Sequence, residues 1–130
     1  MRIPKINMTV IKEDTGYSAY CNVANYFITT QAENFEELKT NVLESVNLTF
    51  QDKKFVYSID EIVFTYDLAS FFEFYKVINA SALSKRLHMP QSLLAQYING
   101  IKKPSKAQTK RILKGVQQVG RELAEINLLF

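Results

Sequence analysis

The chain has 130 residues, 47% of them hydrophobic and 22% charged, which fits one globular domain or two small ones and excludes a disordered chain. No apolar run approaches the ~20 residues needed to span a bilayer, and the N-terminus lacks the apolar stretch of a signal peptide. The single cysteine, Cys21, cannot form an intramolecular disulfide. We therefore expect no membrane association and a cytoplasmic location.

The net charge of +3 is distributed unevenly along the chain. Residues 1–75 carry a net charge of −5, whereas residues 76–130 carry +8. A basic segment attracts polyanions such as nucleic acids, and an acidic segment repels them. The distribution therefore indicates two modules with different partners.

The first module is predicted to contain a small antiparallel sheet. Alternation of apolar and polar side chains indicates one strand over residues 5–12 and a second over Tyr17–Cys21, joined by a turn that ends at Gly16. Aromatic and β-branched residues indicate a third strand over Tyr26–Gln31, and Glu61–Tyr66 has the pattern of a fourth.

One helix is expected to cover this sheet. Asn34 is a candidate N-cap with Glu37 three residues later, and apolar residues then recur at helical spacing over about 35–49. The predicted boundary places residues 1–66 in a first, partner-binding domain and residues 67–130 in a second, helical one.

The second domain is predicted to be all-α, with about five helices. Asp67 is the candidate N-cap of its first helix, which carries an aromatic run. Towards the C-terminus, a capping box at Ser105 begins a helix that Gly115 and Gly120 would end. A last helix is then expected over Gln117–Leu128.

Between these helices, Asn79–Ser105 has the pattern of two short helices joined by a tight turn. Asn79 is a candidate N-cap, His88 lies in the turn, the second helix runs over about Gln91–Asn99, and Gly100 ends it. The outer face of the second helix is neutral and rich in amides. Amides are the groups that read base edges in a major groove.

This stretch resembles the helix-turn-helix of Cro/repressor-type (Xre-like) proteins. The resemblance lies in Ala82–Leu87 of the first helix, Gln91 at the start of the second, the Asn99–Gly100 stop and the Lys102–Ser105 segment that opens the next helix. The family usually has Gly where this chain has His88, at a position with positive φ. We therefore expect His88 to adopt a left-handed conformation.

The resemblance implies a role for individual residues. The second helix would enter the major groove, where Gln91, Ser92 and Gln96 align with the positions that contact bases. A basic surface around this helix would contact phosphates, which position the protein without selecting sequence. Its members are Lys85, Lys102, Lys103, Ser105 and Lys106. The alternative interpretation is that the basic residues only form a solvated face and that the glutamines are only exposed to solvent, without a role in DNA binding.

The first half is similar to the HicB family of antitoxins. The matching segments are Thr15–Tyr20 in the hairpin, Ile28–Gln31 in the third strand and Asn34–Leu38 at the start of the helix. This resemblance implies a partial ribonuclease H-like fold for the first domain, which in the family occludes a small mRNA-cleaving toxin. An acidic first half is compatible with a basic toxin.

The leading hypothesis is therefore an antitoxin of a type II toxin–antitoxin system. It would neutralise its toxin through the first domain and repress its own operon through the second. One alternative is a stand-alone, sequence-specific transcriptional regulator whose first domain mediates dimerisation or another protein contact. A second alternative is a protein-interaction adaptor that does not bind DNA.

Family members act as dimers on inverted repeats, so the resemblance implies a homodimer or higher oligomer on a double-stranded operator. The candidates for dimerisation are the apolar residues near the C-terminus, namely Leu123, Ile126, Leu128 and Phe130. We expect no catalysis, no cofactor and no metal site. The second and third strands carry no carboxylate for a two-metal centre, and His88 is the only histidine.

Overall fold

The alternating segments of the N-terminal half form one four-stranded sheet. We describe residues 3–130 from a computed structural model. The sheet has the order β3-β2-β1-β4, with β2 antiparallel to both of its neighbours and β4 parallel to β1. The strands are β1 (Ile6–Lys12), β2 (Tyr17–Val23), β3 (Tyr26–Ala32) and β4 (Ile62–Tyr66).

The antiparallel sheet predicted from the sequence is therefore wrong, because the sheet is mixed. After β3 the chain passes through helix α1 (Phe35–Thr49) and returns at the opposite edge, beside β1. A long crossover connection of this kind permits parallel pairing, which a short hairpin does not. The alternation within β4 shows which side chains are buried but carries no information on strand direction.

The core of the sheet lies under α1. Asn34 accepts a hydrogen bond from the Glu37 backbone N–H at 2.9 Å, which confirms the predicted N-cap. Residues at helical spacing on α1 and alternate residues of β1 and β2 are buried against one another, among them Leu38, Val42, Val46, Ile6, Met8, Val10 and Ala19. One face of the sheet is therefore covered by α1, and the side chains between the buried ones point to the opposite face.

The predicted all-α second domain of about five helices is also wrong. Residues 3–130 contain five α-helices in total, and they are interleaved with the strands. Helix α1 lies between β3 and β4 in the chain. Helix α2 (Leu68–Phe74) packs with the sheet and α1, since the ring of Phe74 lies 4.5 Å from that of Tyr17 in β2 and 4.3 Å from that of Phe35 in α1. The helices that follow are α3 (Ala80–Arg86), α4 (Gln91–Ile98) and α5 (Lys106–Ala124).

Helix α5 is one 19-residue helix where the sequence predicts two. Ser105 caps it by accepting a hydrogen bond from the Gln108 N–H at 3.1 Å, as predicted. Gly115 lies within the helix because its backbone is pressed against α3: a Cβ at this position would lie 2.4 Å from Leu87 Cδ2. This glycine permits a close approach and does not end the helix.

The chain divides into two compact units, Met1–Phe74 and Tyr75–Phe130. The second unit has a small core, whose buried side chains are Leu83, Ser84, Met89, Leu94 and Ile112. Within residues 3–130, no helix combines the length and the apolar character needed to cross a membrane.

Candidate nucleic-acid interface

Helix α3 begins and ends at residues that the sequence singles out. Asn79 accepts a hydrogen bond from the Ala82 N–H at 2.9 Å, which confirms this N-cap. At the other end, the N–H groups of His88 and Met89 donate to Lys85 O at 3.2 Å and Ser84 O at 2.9 Å. This is the hydrogen-bond pattern of a Schellman motif.

His88 adopts the left-handed conformation that this motif requires, with φ of 53°, as expected. The conformation is unfavourable for a residue with a Cβ, by roughly 1–2 kcal/mol. The turn is held by α5, because the Arg111 guanidinium donates to Leu87 O and to His88 O, the latter at 3.2 Å. A cation thus satisfies carbonyl groups at the negative end of α3.

Helix α4 follows the turn directly. Its N-cap position is Pro90, which makes no side-chain capping bond, in contrast to Asn34, Asn79 and Ser105 at other helices. The first-turn N–H groups of α4 are therefore left without the side-chain acceptor that a cap supplies, and such groups favour anions. The helix ends at Gly100, φ 75°, in a second Schellman motif.

Two of the three candidate base-reading residues, Ser92 and Gln96, share one side of α4. Gln91 and Ser92 are exposed in the first turn, and Gln96 is partly exposed four residues after Ser92. Leu94 is buried and fixes the rotation of the helix. It lies opposite Ser92 and Gln96 but on the same side as Gln91, which lines a cleft with Ala80 and Ser81 of α3. The side chains of Gln91, Ser92 and Gln96 make no hydrogen bond to any other group in residues 3–130, so their donors and acceptors are available to a ligand.

Four of the five candidate phosphate contacts are exposed lysines. Lys102 and Lys103 follow the end of α4, Lys106 begins α5, and Lys85 lies in the last turn of α3. None of the four forms an ion pair in the described part of the chain, where the pairs are Lys12–Glu73, Lys39–Glu36 and Arg86–Glu122. Ser105, the fifth, is exposed and caps α5, with its hydroxyl oxygen occupied by the Gln108 N–H.

Two arginines have structural contacts that the sequence did not reveal. Besides Arg111, Arg86 donates to the Glu122 carboxylate and ties α3 to the second half of α5. This hydrogen bond, together with one from Gln118 at 3.2 Å, holds the pKa of the Glu122 carboxyl below its ordinary value. Arg86 and Glu122 are 36 residues apart in the sequence, and Arg111 and Leu87 are 24 residues apart. No local sequence pattern could therefore have identified these contacts.

The candidates for dimerisation lie at the end of α5 and in the segment after it. Helix α5 ends at Ala124, four residues earlier than predicted, so the C-terminal tail beyond it is not helical. The candidate side chains Leu123, Ile126, Leu128 and Phe130 are all exposed. They form an apolar segment at the end of the chain that residues 3–130 do not cover.

Comparison of the chain with protein-family models, with curated proteins and with solved structures finds no match. The function is therefore inferred from the residues and contacts described above.

Proposed function

We propose that this protein is a DNA-binding repressor whose α4 enters the major groove. The observation that carries the proposal is the surface of α4, where Gln91, Ser92 and Gln96 present unengaged amide and hydroxyl groups. Unpaired lysines follow this helix directly in the chain, at Lys102 and Lys103. Amides recognise base edges, and cations neutralise the phosphates on either side of the groove.

In this proposal the groups have separate tasks. Gln91 and Gln96 can each pair with adenine N6 and N7, which contributes about 1–3 kcal/mol of discrimination per base pair. The lysines supply affinity without sequence preference, and they make binding sensitive to salt. Arg111 holds the turn between α3 and α4, so the two helices present their groups together.

We further propose that the first unit binds a protein partner. Its charge supports a basic partner, since residues 1–75 carry −5 and the exposed surface of α1 presents Glu36, Glu37 and Glu44. With a small, basic, mRNA-cleaving toxin as that partner, the protein is an antitoxin of a type II system that also represses its own operon. Without such a toxin, the proposal reduces to a stand-alone regulator.

An operator with two half-sites requires two copies of the chain, with recognition helices about 34 Å apart. The exposed apolar residues at the end of α5 and in the tail after it offer one surface for that pairing, through Leu123, Ile126, Leu128 and Phe130. An inverted-repeat operator follows from two-fold symmetry of the pair.

The test is fluorescence anisotropy with the DNA upstream of the gene, comparing three alanine variants with the natural protein. Gln96→Ala should weaken binding to the operator by about 5- to 150-fold and relax the preference at one base position. Lys103→Ala should weaken binding to operator and scrambled DNA alike. Gln117→Ala removes an exposed glutamine from α5 and serves as the matched control, with unchanged binding expected.

Unchanged binding by both Gln96→Ala and Lys103→Ala would contradict the assignment of α4 as the recognition helix. The antitoxin proposal has its own test, which is co-purification with the product of a short adjoining reading frame that encodes a basic protein. Charge reversal at Glu36 and Glu44 should weaken that complex and leave DNA binding intact. A complex that tolerates both reversals would contradict the charge-based docking.

A further inference from the structure

Three lysines form a stripe on the solvent side of α5. Lys106, Lys110 and Lys114 follow one another at intervals of four residues, so they share one side of the helix, about 6 Å apart along its axis. At ~100° per residue, each exposed lysine lies about 120–160° around the helix from the buried Ile112. None of the three ammonium groups has an ion pair or a hydrogen-bond partner in residues 3–130. We call these three residues the lysine stripe.

The lysine stripe is an unfavourable arrangement for the helix itself. Like charges four residues apart repel each other, and cations at the start of a helix oppose its dipole. Helix α1 shows the favourable arrangement, with Glu36 and Glu37 in its first turn and Lys39 paired to Glu36 at 3.1 Å. Helix α5 has no acidic residue in its first turn, and its only carboxylate, Glu122, is held by Arg86. An anion bound along the stripe would remove this repulsion.

The side of α5 that carries the stripe offers little to an apolar partner. Ala107 lies among the lysines, and Leu113 at the border of the stripe is 52% exposed. Single exposed leucines are ordinary on protein surfaces. Helices that bind membranes present several large apolar residues to the lipid, and the cores of protein interfaces are depleted in charge. The chemistry of the stripe therefore fits a polyanion and not a bilayer or an apolar protein surface.

The stripe continues the basic residues that follow α4. Lys102 and Lys103 lie between α4 and α5, and Lys106 is the first residue of both α5 and the stripe. Residues 74–121 contain no Asp or Glu, so no carboxylate of this segment interrupts the row of cations. A DNA duplex carries one negative charge per ~1.7 Å of its axis, which matches a long row of cations. Continuity with the α4 surface favours this polyanion over others.

We propose that the lysine stripe binds phosphates of the duplex that flanks the site read by α4, an assignment that rests on the DNA binding proposed above. The stripe spans about 12 Å, which corresponds to roughly three to four base pairs at ~3.4 Å per pair. Its lysines add affinity without sequence preference, because phosphate contacts carry no sequence information. The DNA held by each chain then extends beyond the base pairs that α4 contacts.

Fluorescence anisotropy of the full chain over a salt series tests the proposal. The stripe variant carries Lys110→Gln and Lys114→Gln together and keeps Lys106 and every residue assigned to α4. Each lost phosphate contact should make the slope of log K against log salt shallower by about 0.9 per bound chain. At ~0.15 M salt the stripe variant should therefore bind operator and scrambled DNA roughly 30-fold more weakly, with its preference between the two unchanged.

Two lysines of the first unit provide the matched control. Lys53 and Lys54 are exposed, and neither forms an ion pair in the described part of the chain. A variant with Lys53→Gln and Lys54→Gln loses the same charge and should bind DNA like the natural protein. Urea denaturation adds a readout of opposite sign. The stripe variant loses a repulsion, so it should unfold at an equal or higher urea concentration while it binds DNA more weakly.

A minimal duplex, trimmed to the shortest length that keeps the preference over scrambled DNA, separates the stripe from α4. Lengthening this duplex by about four base pairs of arbitrary sequence at each end should tighten binding of the natural protein about fivefold or more. The same extension should change binding of the stripe variant by less than about twofold. An equal gain for both proteins, or equal salt slopes, would overturn the proposal.

The outcomes for the stripe and for α4 are distinguishable. If the stripe fails these tests while Gln96→Ala still relaxes the operator preference, recognition by α4 stands alone. If Gln96→Ala has no effect while the stripe variant loses affinity, the stripe stands and α4 is not the recognition helix. Absence of DNA binding by the natural protein overturns both. Stripe-dependent binding to phosphatidylglycerol vesicles, with equal DNA binding by natural protein and stripe variant, would assign the stripe to a membrane surface and overturn the proposal.

Discussion

The packing of α5 against α3 predicts opposite effects of the same substitution at two glycines of one helix. Gly115 and Gly120 both lie inside α5, and alanine is about 0.5–1 kcal/mol more favourable than glycine inside a helix. A Cβ at Gly120 would meet nothing within 4 Å. Gly120→Ala should therefore raise the free energy of unfolding by about 0.5–1 kcal/mol.

At Gly115 the same gain in helix stability is opposed by a steric clash with Leu87. The added Cβ would lie 2.4 Å from Leu87 Cδ2 and 3.3 Å from Leu87 Cγ, so the Leu87 side chain has to leave its position. Overpacking of this kind costs about 1–3 kcal/mol. Gly115→Ala should therefore leave the free energy of unfolding unchanged or lower it by up to ~2 kcal/mol. The free energy of unfolding of Gly115→Ala should be about 1–3 kcal/mol lower than that of Gly120→Ala.

Urea denaturation followed by circular dichroism at 222 nm measures both changes. Adding Leu87→Ala provides the control, because the new Cβ at position 115 then meets only Leu83 Cδ1, at an ordinary contact distance of 3.6 Å, and Gly115→Ala should become stabilising. Equal stabilisation by Gly115→Ala and Gly120→Ala in the natural background would refute the close approach of α5 to α3, and with it the support of the turn by α5.

Four further substitutions test, by urea denaturation, the contacts of α5 with α3 and with the turn that follows α3. Arg111→Ala removes the hydrogen bonds to Leu87 O and His88 O and should lower stability by about 1–2 kcal/mol, whereas Arg111→Lys should recover part of the loss. His88→Gly relieves the left-handed conformation and should raise stability by about 1 kcal/mol; a loss would contradict the strain at this residue. Because the folded-state pKa of Glu122 is lowered, its pairing with Arg86 stabilises the fold above the ordinary carboxyl pKa of 4.5 and is lost as pH falls through the lowered value. Glu122→Gln should therefore be less stable than the natural protein at pH 7 and equal to it at pH 2; a gap that persists at pH 2 would contradict this linkage.

The features that the sequence predicts well are local ones. The first two strands follow from alternation of apolar and polar residues, and the third follows from its aromatic and β-branched residues. The N-caps at Asn34, Asn79 and Ser105 follow from side chains that reach the backbone three residues ahead. The conformation of His88 was predicted from the helix-turn-helix resemblance, through the glycine that the family has at this position.

The features that the sequence does not predict depend on distant contacts. The direction of β4 is set by the crossover through α1, and the alternation of side chains within β4 does not reveal it. The continuity of α5 depends on Leu87, which lies 28 residues before Gly115 in the chain and turns an apparent helix stop into a packing contact. The contacts of Arg86 and Arg111 likewise exist only once α5 lies beside α3.

The most direct test of the central claim is binding of the natural protein to its upstream DNA and to scrambled DNA over a series of salt concentrations. Recognition through α4 predicts tighter binding to the upstream fragment and a steep loss of affinity with salt. With Lys85, Lys102, Lys103 and Lys106 of two copies all on phosphates, the slope of log K against log salt would reach about −7. Absence of binding to either DNA at low salt would contradict the claim that α4 is a DNA-recognition helix.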